Sequence, residues 1–333
     1  IIQRFKEYSL RRLYQSIFNV LLVMVLLSLY LTFGFSNYKL CIWLIVLFNL
    51  IMALKYCYIY KEISCGTTDI SLLDFNRLSD LIQVGFPLFF SQMLGSLLVT
   101  VDSQIVNLFF SLREYAMYSF AYSLVLIITV ALSAISVVLY PFLKRQSVES
   151  VKHHYEKIVL TMILISFFML IFARLFKIIL DLFLPDYSLG TSLFLYVFPS
   201  ACIISVIMIT LNNFYKVTNK SSVFARRCLF VFIISIVFNY LSCFLFDSLY
   251  YMTFAAVIVF ILWYYFSEQG LYSKSDFNFN YTFKWVCILL IAYYLSLMIQ
   301  NNLGGSLVYT ISYLIVFFII KKNTYLNLKN LRS

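Results

Sequence analysis

From Tyr14 to Ile320 the chain is a succession of apolar runs, each about as long as a membrane is thick, parted by short polar stretches. A helix rises 1.5 Å per residue, so about 20 residues cross the ~30 Å hydrocarbon layer. Ten segments have roughly that length: 14–36, 40–60, 81–106, 115–140, 157–183, 190–212, 227–246, 249–267, 282–300 and 304–320. Backbone groups that face lipid must be satisfied within their own segment. That makes helices the expected state, whatever the strand propensity of the many Phe, Tyr and Ile residues. Composition agrees, with 63% hydrophobic and 12% charged residues over 333 positions, against roughly 45–50% and 25% in soluble domains. The sequence therefore predicts an all-α integral membrane protein with about ten transmembrane helices.

The cations set the orientation. Twenty of the 25 Lys and Arg residues fall in one alternate set of loops and ends: Arg4, Lys6, Arg11 and Arg12; Lys61 and Arg77; Lys144, Arg145, Lys152 and Lys157; Lys216, Lys220, Arg226 and Arg227; Lys274 and Lys284; Lys321, Lys322, Lys329 and Arg332. The other set holds Lys39 and Arg113, and Lys55, Arg174 and Lys177 lie within helices. Positive loops stay in the cytoplasm, so both ends of this chain are expected there. The net charge of +11 is then mostly topology, with anionic lipid headgroups as the surface it meets, and no nucleic-acid partner is expected. The outer loops 36–39, 107–114, 185–189, 247–248 and 301–303 are too short to fold as a domain. The polar inner stretch 61–80, with Gly66, Thr67, Thr68, Asp69 and Asp74, reads as a cytoplasmic linker between two helical bundles.

Enzyme signatures are absent: there is no P-loop, GxSxG or HExxH, and no span holds a pair of carboxylates. Seven cysteines without a CxxC pair read as buried free thiols. His153 and His154 would point about 100° apart on a helix and make no metal site. No cofactor is expected, and the Phe and Tyr residues read as mostly lipid-facing or interfacial.

The polar residues inside the spans are the functional candidates. Pro87, one turn into the third span, is predicted to break the helix against the carbonyl of Gln83. Ser91, Gly95 and Asp102 fall within about 40° of one face. Asp102 would lie ~27 Å along the helix, either as an interfacial carboxylate or as a cavity group that takes up H⁺ or Na⁺. Gln92 and Asn49 sit near mid-membrane, as helix-to-helix hydrogen bonds or as path-lining amides. Lys55 is a snorkelling lysine or a phosphate contact. Arg174, Lys177 and Asp181 form one stripe, which either receives a phosphate or is closed by Lys177–Asp181 pairing.

Beyond these residue-by-residue readings, several motifs together carry a resemblance. Gly85-Phe86-Pro87, the late Asp102, the turn Glu114-Tyr115-Ala116-Met117-Tyr118-Ser119, Tyr140-Pro141, and Phe183-Leu184-Pro185-Asp186-Tyr187 followed by a span with Pro199 resemble Wzx-type polysaccharide flippases of the multidrug/oligosaccharidyl-lipid/polysaccharide exporter superfamily. The resemblance runs over roughly 10–325. It implies two six-helix lobes around a central cavity, of which 1–60 would be the last two helices of the first lobe. Residues 81–267 would be the second lobe, 268–281 a cytoplasmic loop, and 282–333 an extra helix pair with a basic tail. The first helices of that pattern would precede Ile1. The resemblance implies a bacterial inner-membrane flippase for an undecaprenyl-pyrophosphate-linked oligosaccharide, working with other polysaccharide assembly proteins. A multidrug exporter of the same superfamily and, more distantly, a membrane polysaccharide polymerase are the alternatives.

Overall fold

The computed structural model describes residues 2–33, 38–59, 75–146, 148–271 and 280–330. Within each of the ten apolar runs the described residues are mainly helical, and there is no strand among the described residues. In chain order the helices are α1 (Ile2–Phe33), α2 (Tyr38–Ile59), α3 (Phe75–Phe109), α4 (Leu112–Lys144), α5 (Val148–Phe168), α6 (Ala173–Phe183), α7 (Ser188–Ser205), α8 (Asn212–Val217), α9 (Ser221–Phe246), α10 (Leu249–Leu271), α11 (Asn280–Leu297) and α12 (Asn302–Asn330). A 3₁₀ turn, Met169–Phe172, joins α5 to α6, and a π-helical segment, Val206–Leu211, joins α7 to α8. Seven of the resulting helices are long and apolar enough to cross a membrane; Tyr14–Leu29, Ile42–Lys55 and Tyr281–Leu297 are shorter apolar stretches. This is an all-α integral membrane protein.

The chain divides into two compact units, Ile1–Phe75 and Asn76–Ser333. Most of the stretch read as a linker, 61–74, lies outside the described residues, while 75–80 form the first turns of α3. In the first unit α1 packs on α2, with the Phe18 and Phe48 rings 5.1 Å apart.

In the second unit α7 is the central post, packed on α4, α5, α6 and α10. Between Gly190 and Ser205 all of its residues are buried except Ser192 and Tyr196. Glycines set the closest approaches. A Cβ at Gly190 would stand 2.9 Å from the Phe120 ring of α4 and 3.0 Å from the carbonyl oxygen of Met117. One at Gly95 would stand 2.9 Å from the Met208 side chain in the π segment. Small residues at crossings are the usual means of close packing where lipid supplies no hydrophobic drive.

Several tyrosine hydroxyls tie helices together, although many of the Phe and Tyr rings are exposed on the outside of the helices. Pro199 has no N–H for the carbonyl of Leu195 four residues back, and Tyr293 of α11 donates its hydroxyl to that carbonyl over 2.9 Å. Tyr294 serves the neighbouring carbonyl of Tyr196 at 2.8 Å. Near the 3₁₀ turn, where i→i−4 pairing lapses, the carbonyl of Ser166 takes Cys202 Sγ and that of Phe167 takes the Tyr309 hydroxyl at 3.0 Å. The α11–α12 pair is thus hydrogen-bonded onto α7 and α5.

One sequence expectation fails. α3 runs as a helix straight through Pro87, because proline removes a single backbone bond and the flanking turns persist. The irregular backbone lies instead at 169–172 and 206–211, where no proline stands.

Candidate functional site

Asp102 is 1% exposed on α3. It shares its buried face with Ser91 and Gly95, as the 100° periodicity requires. Its Oδ2 accepts a 2.9 Å hydrogen bond from the Tyr118 hydroxyl of α4, and Oδ1 accepts from the backbone N–H of Ser103 at 2.8 Å. The Tyr122 ring lies 5.0 Å from that of Tyr118. The Tyr122 hydroxyl approaches Asp102 but, outside hydrogen-bond geometry, stays buried without a partner. Asp102 therefore sits inside the second unit, against aromatic hydroxyls, rather than at the surface among headgroups.

The turn that builds this pair is ordered by its own caps. Ser111 is the N-cap of α4, and Glu114 closes a capping box with it: Ser111 N–H donates to Glu114 Oε2 at 3.0 Å and Glu114 N–H to Ser111 Oγ at 3.4 Å. Glu114 is thus engaged locally and leaves Asp102 as the acidic group of this hairpin that faces the core.

The other candidates fall in separate places. In the first unit, Asn49, Gln15 and Asn19 line a cavity of about 200 Å³ together with Phe18 and Phe48. Asn49 Nδ2 donates to the carbonyl of Ile45 at 2.8 Å. Lys55 Nζ stands 4.3 Å above the Tyr14 ring, a cation–π contact. In the second unit Gln92 is half-buried beside Ser91. Lys177 pairs with Asp181, which also accepts from Thr191 of α7.

Arg174 is 6% exposed. Its guanidinium donates to the carbonyls of Ser296, Ile299 (3.1 Å) and Asn301 (3.3 Å) and to Asn302 Oδ1 (3.3 Å), where α11 ends and α12 begins. A Cβ on Gly305 would stand 2.3 Å from its Cζ. Both terminal nitrogens of the guanidinium are engaged with protein acceptors here.

The N-terminal part of the chain has a family match. Residues 3–147 match the polysaccharide biosynthesis protein family. The matched stretch takes in α1 to α4, and with them Asn49, Lys55, Ser91, Gln92, Asp102 and its partner Tyr118. No curated protein and no solved structure matches the chain.

Sequence reasoning placed Asp102 but missed its partner. The signal was available: Asp102 lies eight residues before Phe110, and Tyr118 lies seven after Ser111. In an antiparallel pair of helices at 1.5 Å per residue both stand about 11 Å from the turn. Glu268, buried in the last turn of α10, was missed altogether, because an acidic residue at the edge of an apolar run reads as loop.

Proposed function

We propose that the protein is a flippase that carries an undecaprenyl-pyrophosphate-linked oligosaccharide, such as an O-antigen or capsule repeat unit, across the bacterial inner membrane. The observation that carries this reading is the match of 3–147 to a polysaccharide biosynthesis family, within which the buried Asp102–Tyr118 pair lies. A sugar-pyrophosphate headgroup loses its hydration in hydrocarbon at prohibitive cost, so it needs a polar path while its polyprenyl tail stays in lipid. The amides of Gln15, Asn19 and Asn49, set beside Phe18 and Phe48, offer the donors, acceptors and flat faces that suit a glycan. Alternating access would move the headgroup from one side to the other. Both ends of the chain would be cytoplasmic, facing anionic lipid and the rest of the polysaccharide assembly proteins.

Asp102 is assigned the coupling role. An acidic side chain in an apolar helix is costly unless neutralised, so uptake of H⁺ or Na⁺ there biases one arrangement of the helices over another. The test is Asp102→Asn in the full-length protein, scoring surface polysaccharide against protein abundance in the membrane. Loss of polysaccharide at unchanged abundance is expected. Normal polysaccharide at normal abundance removes Asp102 from the mechanism. Normal polysaccharide on complete deletion of the protein, with increased drug sensitivity, favours a multidrug exporter instead.

A further inference from the structure

A second intramembrane carboxylate has no place in that mechanism. Glu268 lies within the span Leu249–Leu271 and is 5% exposed. It stands where three helices meet. Tyr155 of α5 donates its hydroxyl to Oε1 at 3.2 Å, and Thr282 of α11 donates to the same oxygen. Oε2 is buried and has no hydrogen-bond partner. Near it is a further buried polar atom with none, the Tyr264 hydroxyl one turn earlier on α10, which faces the carboxyl outside hydrogen-bond geometry.

Among the described residues, the charges nearby do not neutralise it. Glu156 of α5 acts on Glu268 with the same sign. Arg227 of α9 lies against Tyr215 of α8, whose hydroxyl goes to the carbonyl of Ser267, and Lys220 Nζ donates to the carbonyl of Leu271 at 2.6 Å. Cys287 of α11 faces Tyr264. None of these forms an ion pair with Glu268 among the described residues.

An ionised carboxylate here would hold a full charge on two hydroxyl donors, with one oxygen unsatisfied in a medium that solvates charge poorly. A carboxylic acid fits better. The proton occupies Oε2, Oε1 keeps its two donors, and the new O–H has the hydroxyl oxygen of Tyr264 at hand as an acceptor. We propose that Glu268 is a proton-binding site whose loaded form holds α5 and α11 against the end of α10, and whose ionisation loosens that junction. The step is acid–base alone: a proton passes between water and Oε2, and one negative charge appears or disappears. It is independent of what the protein transports.

The test uses the purified full chain in detergent, melted from about pH 5.5 to about pH 8.5. A buried acid that must ionise destabilises the fold as pH rises, so the wild type is expected to lose about 5 °C across that range. Glu268→Gln, which has the shape of the acid and cannot ionise, is expected to lose Glu268's share of that slope, and Glu268→Gln combined with Asp102→Asn to melt at a nearly constant temperature. Asp102→Asn alone should keep the share of the slope that belongs to Glu268. A slope in Glu268→Gln equal to that of the wild type overturns the proposal, and so does a flat wild-type profile. Should Glu268→Gln fail to fold, infrared spectra of the Asp102→Asn protein decide: a carboxylic-acid C=O band at neutral pH that disappears on raising the pH supports the site, and its absence overturns it.

Discussion

Arg174 illustrates how this chain uses a charge in the membrane. A helix end exposes carbonyls without partners and carries partial negative charge, and a guanidinium supplies a rigid fan of N–H donors to match. The groups it serves lie about 122–128 residues away, so its role follows from the fold and not from its neighbours Lys177 and Asp181. Arg174→Lys keeps the charge and loses the fan. The expected cost is about 2 kcal/mol, or roughly 4–8 °C of melting temperature in detergent. Gly305→Ala drives its Cβ into the same guanidinium and is expected to cost a similar amount. The two losses should not add in the double variant, since both remove one interaction; full additivity would mean that Gly305 matters for another reason. At Asp102 the corresponding single-atom test is Tyr118→Phe, which removes the 2.9 Å donor and keeps the ring. If Asp102 carries the coupling, this variant should lower surface polysaccharide at normal protein abundance, and by less than Asp102→Asn.

Between elements, the informative arrangement is a proline on one helix answered by a tyrosine on another. Pro199 frees the carbonyl of Leu195, and Tyr293 takes it. Tyr293→Phe leaves that buried carbonyl unpaired and is expected to cost about 1–3 kcal/mol. Pro199→Ala restores an N–H to the same carbonyl, so in that background Tyr293→Phe should cost less, by about 1 kcal/mol. Melting the four proteins of this cycle measures the difference; no coupling between the two positions would show that Tyr293 acts by packing alone. The pairing also marks how far the helices were legible. Hydropathy averaged over about 20 residues found the seven long apolar helices and the three shorter apolar stretches, because the cost of unpaired backbone in lipid leaves little alternative. It could not find the 3₁₀ turn at Met169–Phe172 or the π segment at Val206–Leu211. Those depend on partners such as Tyr309, 142 residues from the carbonyl it serves. Pro87 pointed to the wrong helix for the same reason: a proline disturbs a helix only as much as its surroundings allow.

At the scale of the whole molecule, the charges and the apolar runs are two independent readings of one arrangement. The segment 3–147 crosses from the unit Ile1–Phe75 into the unit Asn76–Ser333, so the family match does not follow the division of the fold. Asp102 was legible because it interrupts an apolar helix; Glu268 was not, because its burial depends on Tyr155 and Thr282 arriving from α5 and α11. Orientation rests on the twenty cations on one side against two on the other. Cysteines placed at Ser222 and Lys321, in a background without native thiols, are expected to resist an impermeant thiol reagent in intact cells. Cysteines at Arg113 and Asp186 are expected to react. All four positions are exposed; Ser222, Arg113 and Asp186 lie in first turns or a turn and Lys321 at the end of the apolar part of α12, so access is set by the membrane and not by packing. Four helices, α9 to α12, separate Ser222 from Lys321, which must therefore share a side if each crosses once. Opposite labelling of those two would mean that one of the four does not span, with Tyr281–Leu297 the shortest apolar stretch among them. Reaction at Ser222 with silence at Arg113 would invert the whole molecule, and the cation bias would then have to be set by something other than the cytoplasmic side.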